Sequence, residues 1–200
     1  MVLATACVSG NGGVGSAQGA ASGCGFGNCA GCCQFGVCQA GNGSTTCGLG
    51  GNVCSICTVA EVCLPAGFCG IDPESEWLVQ PAKAVISTSN NGASWDGDGS
   101  PPDVQVTVTC PSATSAGKLG VTPQKESYSP TWTSGGCVTK AKYLLSAPFT
   151  FSLDDIDVAA DDSITGKFAY QATADDLADA SVSFGAKFGM ESIEIWFVKQ

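Results

Sequence analysis

The sequence contains no histidine and no arginine in its 200 residues, and each absence removes a class of chemistry. A Ser-His-Asp triad, a histidine-assisted cysteine nucleophile and a histidine-rich metal centre all need imidazole; a bidentate phosphate clamp needs guanidinium. Positive charge of any kind is scarce. Eight lysines stand against 18 acids, giving a net charge of −10. Nucleic acid is therefore not an expected partner, because binding it rests on neutralising phosphates. No apolar run approaches the roughly 18 residues of a spanning helix, so no transmembrane segment is expected. Helix signals are nearly missing as well: only Thr173, followed by Asp175 and Asp176, reads as an N-cap, and it predicts a helix of about two turns within 173–180.

Charge is also unevenly distributed. Residues 1–71 hold a single charged side chain, Glu61, with eleven of the 13 cysteines and 17 of the 27 glycines; residues 72–200 hold all eight lysines and 17 of the 18 acids. This contrast predicts three segments: a Gly/Ala/Ser-rich tether over 1–23, a cysteine-rich module over 24–71 and a larger domain over 72–200. Ten cysteines fall within 46 residues: Cys24, Cys29, Cys32, Cys33, Cys38, Cys47, Cys54, Cys57, Cys63 and Cys69. Large apolar side chains there are too few to offset chain entropy, so five disulfides in an oxidising compartment are expected, with connectivity open. The pairs Cys29/Cys32 and Cys54/Cys57 leave a four-thiolate zinc site as the alternative, although Cys33, Cys38 and Cys47 lie between them. Cys110 and Cys137 are expected to bridge, closing a loop of about 28 residues and contributing on the order of 3 to 4 kcal/mol.

Two local resemblances arise in this half. The run Cys32-Cys33-Gln34-Phe35-Gly36-Val37-Cys38 resembles the chitin-binding hevein motif, with a loop one residue shorter and Val37 where that family presents an aromatic; it implies carbohydrate binding as an alternative role. Cys7, preceded by Leu3, Ala4, Thr5 and Ala6 and followed by the tether, resembles the attachment site of a bacterial lipoprotein, which implies lipidation of the one cysteine left over by pairing.

From residue 76 the pattern is that of strands. Val104, Val106 and Val108 alternate with polar residues, as do Phe149, Phe151 and Leu153, and Ile193, Ile195 and Phe197 alternate with Glu194, Trp196 and Val198. With further runs at 77–86, 119–124, 138–145, 164–171 and 180–184, eight short strands separated by Gly, Pro, Asn and Asp predict an all-β, antiparallel sandwich.

Aspartate crowds two connections of that sandwich: Asp96, Asp98 and Asp103 in one, and Asp154, Asp155, Asp157, Asp161 and Asp162 in the other. No lysine lies between Lys83 and Lys118 or between Lys142 and Lys167 to neutralise them. Like charges at this density lower stability unless they spread into solvent or hold a cation, and the Asp-x-Asp step suits Ca2+, a hard ion with six to eight oxygen ligands, better than Mg2+.

Three pieces then share one resemblance. Pro102-Asp103-Val104-Gln105-Val106, the Ser129-Pro130-Thr131-Trp132 turn, and Asp155-Ile156-Asp157 with Asp161-Asp162-Ser163-Ile164-Thr165-Gly166 are similar, in order and separation, to the corresponding parts of a C2 domain. The resemblance implies an eight-stranded C2-like sandwich over about 77–199 that binds Ca2+ as cofactor in its end loops. Asp103, Asp155, Asp157 and Asp162 would be ligands, with Asp161 able to substitute, and Asp96 or Asp98 would supply the remaining ligand of the first loop. It further implies that the ion completes its shell with a lipid headgroup phosphate or a carboxylate of a protein partner. Trp132 is expected in the core, and Trp95 in the core or at a lipid-facing tip. Glycoside hydrolysis by paired carboxylates is the opposing class, and the lack of material for a substrate cleft weighs against it. The sequence thus reads as a non-enzymatic extracellular or bacterial outer-membrane surface protein, with a metal-free structural surface protein as the alternative.

Overall fold

The structure, a computed structural model, describes residues 23–157 and 161–200. Cys7, most of the tether, and the loop residues Val158, Ala159 and Ala160 lie outside the described residues.

Among the described residues there are six disulfides: Cys24–Cys33, Cys29–Cys38, Cys32–Cys54, Cys47–Cys63, Cys57–Cys69 and Cys110–Cys137. The four cysteines of the zinc alternative are distributed over three of these bonds, so none is a free thiolate. In the cysteine-rich segment the bonds tie together three small antiparallel hairpins: β1 (Cys32–Gln34) with β2 (Val37–Gln39), β3 (Asn42–Gly43) with β4 (Thr46–Cys47), and β5 (Val62–Cys63) with β6 (Cys69–Gly70). Cystine stands in for an apolar core here. Cys29, Cys32 and Cys47 are buried, whereas Phe26, Phe35, Val53 and Val59 are more than four-fifths exposed. Glycine lets the strands close up: a Cβ on Gly41, which has φ +79°, would lie 2.0 Å from the Gly48 carbonyl oxygen.

The remaining strands form two antiparallel sheets. One consists of β11 (Cys137–Lys140), β7 (Glu76–Ile86), β16 (Met190–Lys199) and β15 (Ser181–Phe184), in that order. The other is centred on β8 (Asp103–Cys110) and β12 (Phe149–Asp155). Along its outer edges β9 (Lys118–Val121) and β10 (Lys125–Glu126) pair β8, while β13 (Asp162–Ser163) and β14 (Phe168–Tyr170) pair β12. Leaving aside β10 and β13, of two residues each, the strands of this sandwich are the eight that the alternation predicts.

Period-two alternation places Val104, Val106, Val108, Phe149, Phe151, Leu153, Ile193, Ile195 and Phe197 between the sheets, all essentially inaccessible. Each such side chain contributes roughly 1.5 to 3 kcal/mol when buried. Phe149 meets Phe197 edge-on across the gap at 5.9 Å between ring centroids. Pro81, unusual in a central strand, sits opposite Ile195 where the β7–β16 register shifts.

One local difference from the sequence reading has a physical cause. The strand expected over 138–145 stops at Lys140 and becomes a helical turn, α1 (Ala141–Leu144). Ala141 and Leu144, three apart, are the buried pair, so the apolar spacing there is that of a helix, and Ala141 N–H and Lys142 N–H donate to Ser75 and Pro73 carbonyls. Trp95 is core: it is 6% exposed and its Nε1 donates to the Ser87 carbonyl at 2.7 Å. Trp132 is also buried, its Nε1 bonded to the Pro123 carbonyl at 2.8 Å. The short helix α2 (Ala174–Asp179) forms where expected, with Thr173 and Asp176 closing a reciprocal capping box.

Candidate metal centre

The β8–β12 pairing builds the site. Asp155 faces Val104 across the ladder, and the Asp103 N–H donates to Asp155 Oδ1 at 2.6 Å while the Ile156 N–H donates back to the Asp103 carbonyl at 3.1 Å. Along β12 the inward positions are Phe149, Phe151, Leu153 and then Asp155, so the same alternation that fills the core carries a carboxylate into its end. Asp155 is fully buried, and its Oδ2 is the one buried side-chain oxygen or nitrogen among the described residues that lacks a hydrogen-bond partner. A buried carboxylate oxygen left unpaired is costly and calls for a cation.

Two further carboxylates converge on it. Asp96, Asp155 and Asp157 each place an oxygen within 4.8 Å of the others. Oxygen ligands of one Ca2+ at 2.3 to 2.6 Å can be no more than about 4.6 to 5.2 Å apart, so the three satisfy the geometric limit for a shared ion. Burial is the main cause that pushes the Asp155 carboxyl up to about 6; the Asp103 N–H opposes this, and the charges of Asp96, Asp157 and Asp103 add to it. Asp157 is raised by burial, then by Asp96 and, less, by Asp162 and Asp161. These groups repel one another unless a cation lies among them.

The other expected ligands occupy different places. Asp103 lines the same open depression, together with Glu126 and Ile156. Asp98 lines it as well but stands outside the three-carboxylate cluster: its Oδ1 accepts from the Ser100 N–H at 3.0 Å and the Ser100 hydroxyl at 2.7 Å, which lowers its pKa. Ser100 Oγ also lies 3.1 Å from Asp96 Oδ2, which steadies the carboxylate that does join the cluster. Asp161 Oδ1 accepts from the Asp157 N–H at 3.2 Å, and Asp162, in β13, meets Asn90 Nδ2 at 3.4 Å. The first loop therefore contributes Asp96 to the cluster, and Glu126 is a lining acid that sequence spacing gave no reason to choose; only its place opposite Asp103 in the β10–β8 pairing reveals it.

No protein-family model matches the sequence, and no curated protein matches it. Solved structures similar to the chain include C2 domains. One C2 domain aligns at 16% identity with a TM-score of 0.44, over 63% of this chain and 98% of that one. A C2 domain of plant extended synaptotagmin 1 aligns at 14% identity and 0.44, over 64% and 98%. Human GIVD cytosolic phospholipase A2 aligns at 15% identity and 0.42 over 63% of this chain, which corresponds to 17% of the enzyme.

Proposed function

We propose that the sandwich binds Ca2+ between its acidic loops and that the protein is a non-enzymatic, secreted or surface-held binding module. The observation that carries this reading is the buried, unpartnered Oδ2 of Asp155 with carboxylates of Asp96 and Asp157 within 4.8 Å. Asp96, Asp155 and Asp157 would hold the ion, with Asp103, Asp161 and Asp162 near enough in the chain to complete its shell. The bound ion neutralises the mutual repulsion of these groups and gives an acidic loop cluster affinity for an anionic group, a headgroup phosphate or a partner carboxylate. Six disulfides fit an oxidising compartment, and display at a cell surface follows from that as part of the proposal. There, an affinity of about 10^-4 to 10^-3 M suffices.

Calorimetric titration of the full chain with CaCl2, against MgCl2, tests the reading. Calcium should give a saturable heat that Asp155→Asn and Asp157→Asn each abolish, and magnesium should give little. Absence of heat in the wild type, or titration unaltered in both variants, contradicts it.

A further inference from the structure

Beside β13 lies a second cavity, of about 380 Å3, whose lining includes Ser89, Asn90, Asn91, Trp95, Ser163 and Phe188. Its size is within the range of small-molecule sites, about 300 to 1,000 Å3. Its lining carries no charged side chain, in a chain of net charge −10. The occupant it suits is therefore neutral. Lys187, the residue before Phe188, has its ammonium over the Phe168 ring at 3.9 Å and, more distantly, over the Phe188 ring at 5.5 Å, so one face of Phe188 is left for a ligand.

Two tight turns supply the rim, and both are pinned. Asn90 and Ala93 exchange backbone hydrogen bonds around Asn91, φ +53°, and Gly92, φ +94°. Lys187 and Met190 exchange them around Phe188 and Gly189. The second turn is also anchored by the Gly189 N–H to the Ile164 carbonyl at 3.0 Å, and by the Ser87 N–H to the Gly189 carbonyl at 2.7 Å. A Cβ on Gly189 would sit 2.6 Å from the Trp95 ring, so glycine is required there. The left-handed position then falls on Phe188, at φ +53°, where glycine would be unstrained. The chain keeps an aromatic at that place and leaves it 80% exposed. Strain retained for an exposed aromatic marks a functional contact better than a packing need.

The cavity also offers neutral donors and acceptors with capacity to spare. Asn91 Nδ2 bonds Asn90 Oδ1 at 3.2 Å, which leaves the Asn91 carboxamide oxygen available. Ser89 Oγ and Ser163 Oγ accept from the Gly92 and Gly166 N–H groups, so each hydroxyl proton is free to be donated. A ligand that presents an apolar face to a ring and hydroxyls to amide and hydroxyl groups, without charge, is a sugar ring. We propose that this cavity binds a neutral saccharide, stacked on Phe188 and hydrogen-bonded by Asn91, Ser89 and Ser163. The site is separate from the calcium reading and does not depend on it.

Native gels containing a β-1,4-glucan, a β-1,3-glucan, a mannan or a xylan, run on the full chain in chelator, test this without the metal. At least one polysaccharide should retard the protein, and Phe188→Gly and Asn91→Gly should each weaken retardation about tenfold or more. Both variants place glycine at a left-handed position, so folding is not at risk, and Phe188→Gly should raise the melting temperature while it lowers binding. Retardation by none of the four, or retardation that survives Phe188→Gly, overturns the proposal. So does Phe188-dependent binding to phosphatidylcholine vesicles in place of any polysaccharide.

Discussion

Asp155 occupies a position that the core alternation reserves for an apolar side chain, and its titration follows from that. Its carboxyl is raised from 3.8 to about 6, chiefly by burial. For an acid whose folded pKa lies above its unfolded one, the contribution to stability is present below about 4 and is lost as pH rises through about 6. Without calcium the loss amounts to roughly 3 kcal/mol at neutral pH. In chelator, then, the melting temperature of the wild type should fall between pH 4 and pH 7 relative to Asp155→Asn, which keeps an acceptor for the Asp103 N–H and removes the charge. Parallel pH profiles for the two proteins would disprove the assignment. Asp98 supplies a contrasting residue: bonded to Ser100 and outside the cluster, it should be dispensable, so Asp98→Asn should leave the calcium affinity within about twofold, a shift of less than roughly 0.5 kcal/mol.

Among the elements, the helix α2 offers a clean test of local chemistry. Thr173 caps it through the Asp176 N–H at 3.1 Å, and Ala180 ends it in the left-handed region at φ +62°. Thr173→Ala should cost about 1 kcal/mol and Ala180→Gly should gain roughly 0.5 to 1 kcal/mol, both read from denaturant midpoints at constant slope. The same elements show what was legible in the sequence. Strands with one buried face announce themselves by alternation, which is why β8, β12 and β16 stand where Val104, Phe149 and Ile193 begin their runs. Helix α2 was legible because its cap is a local signal. The turn α1 was not, because Val138, Lys140 and Lys142 continue a strand-like rhythm while the burial of Ala141 and Leu144 depends on a tertiary neighbour. At the site, the two aspartate clusters were visible, yet which members converge was not: the inward slot of Asp155 follows from extending the Phe149-Phe151-Leu153 rhythm by one step, whereas the exclusion of Asp98 rests on Ser100 and the approach of Glu126 on a pairing between distant segments. Phe188 carried no sequence signal, since a lone aromatic before glycine does not reveal which of the two takes the positive φ.

Over the whole molecule, stability comes from two different sources. The sandwich has a continuous apolar core, to which the cysteine-rich segment adds only Ala60 and Ile71; that segment is held chiefly by five of the six disulfides found among the described residues. Mild reductant should therefore collapse hydrogen-exchange protection in 24–71 while β7, β8, β12 and β16 stay protected, the sandwich losing only the Cys110–Cys137 contribution, about 3 to 4 kcal/mol for a loop of this length. Equal loss of protection in both would contradict the division.

The calcium reading itself is tested most directly by the melting temperature of the full oxidised chain at pH 7.5, in excess chelator and then in millimolar CaCl2, with MgCl2 and Asp155→Asn as controls. A ligand at 100 times its dissociation constant adds about 2.7 kcal/mol, a rise of several degrees for a domain of this size. A calcium-specific rise that disappears in Asp155→Asn is the predicted result; an unchanged melting temperature in calcium would contradict it.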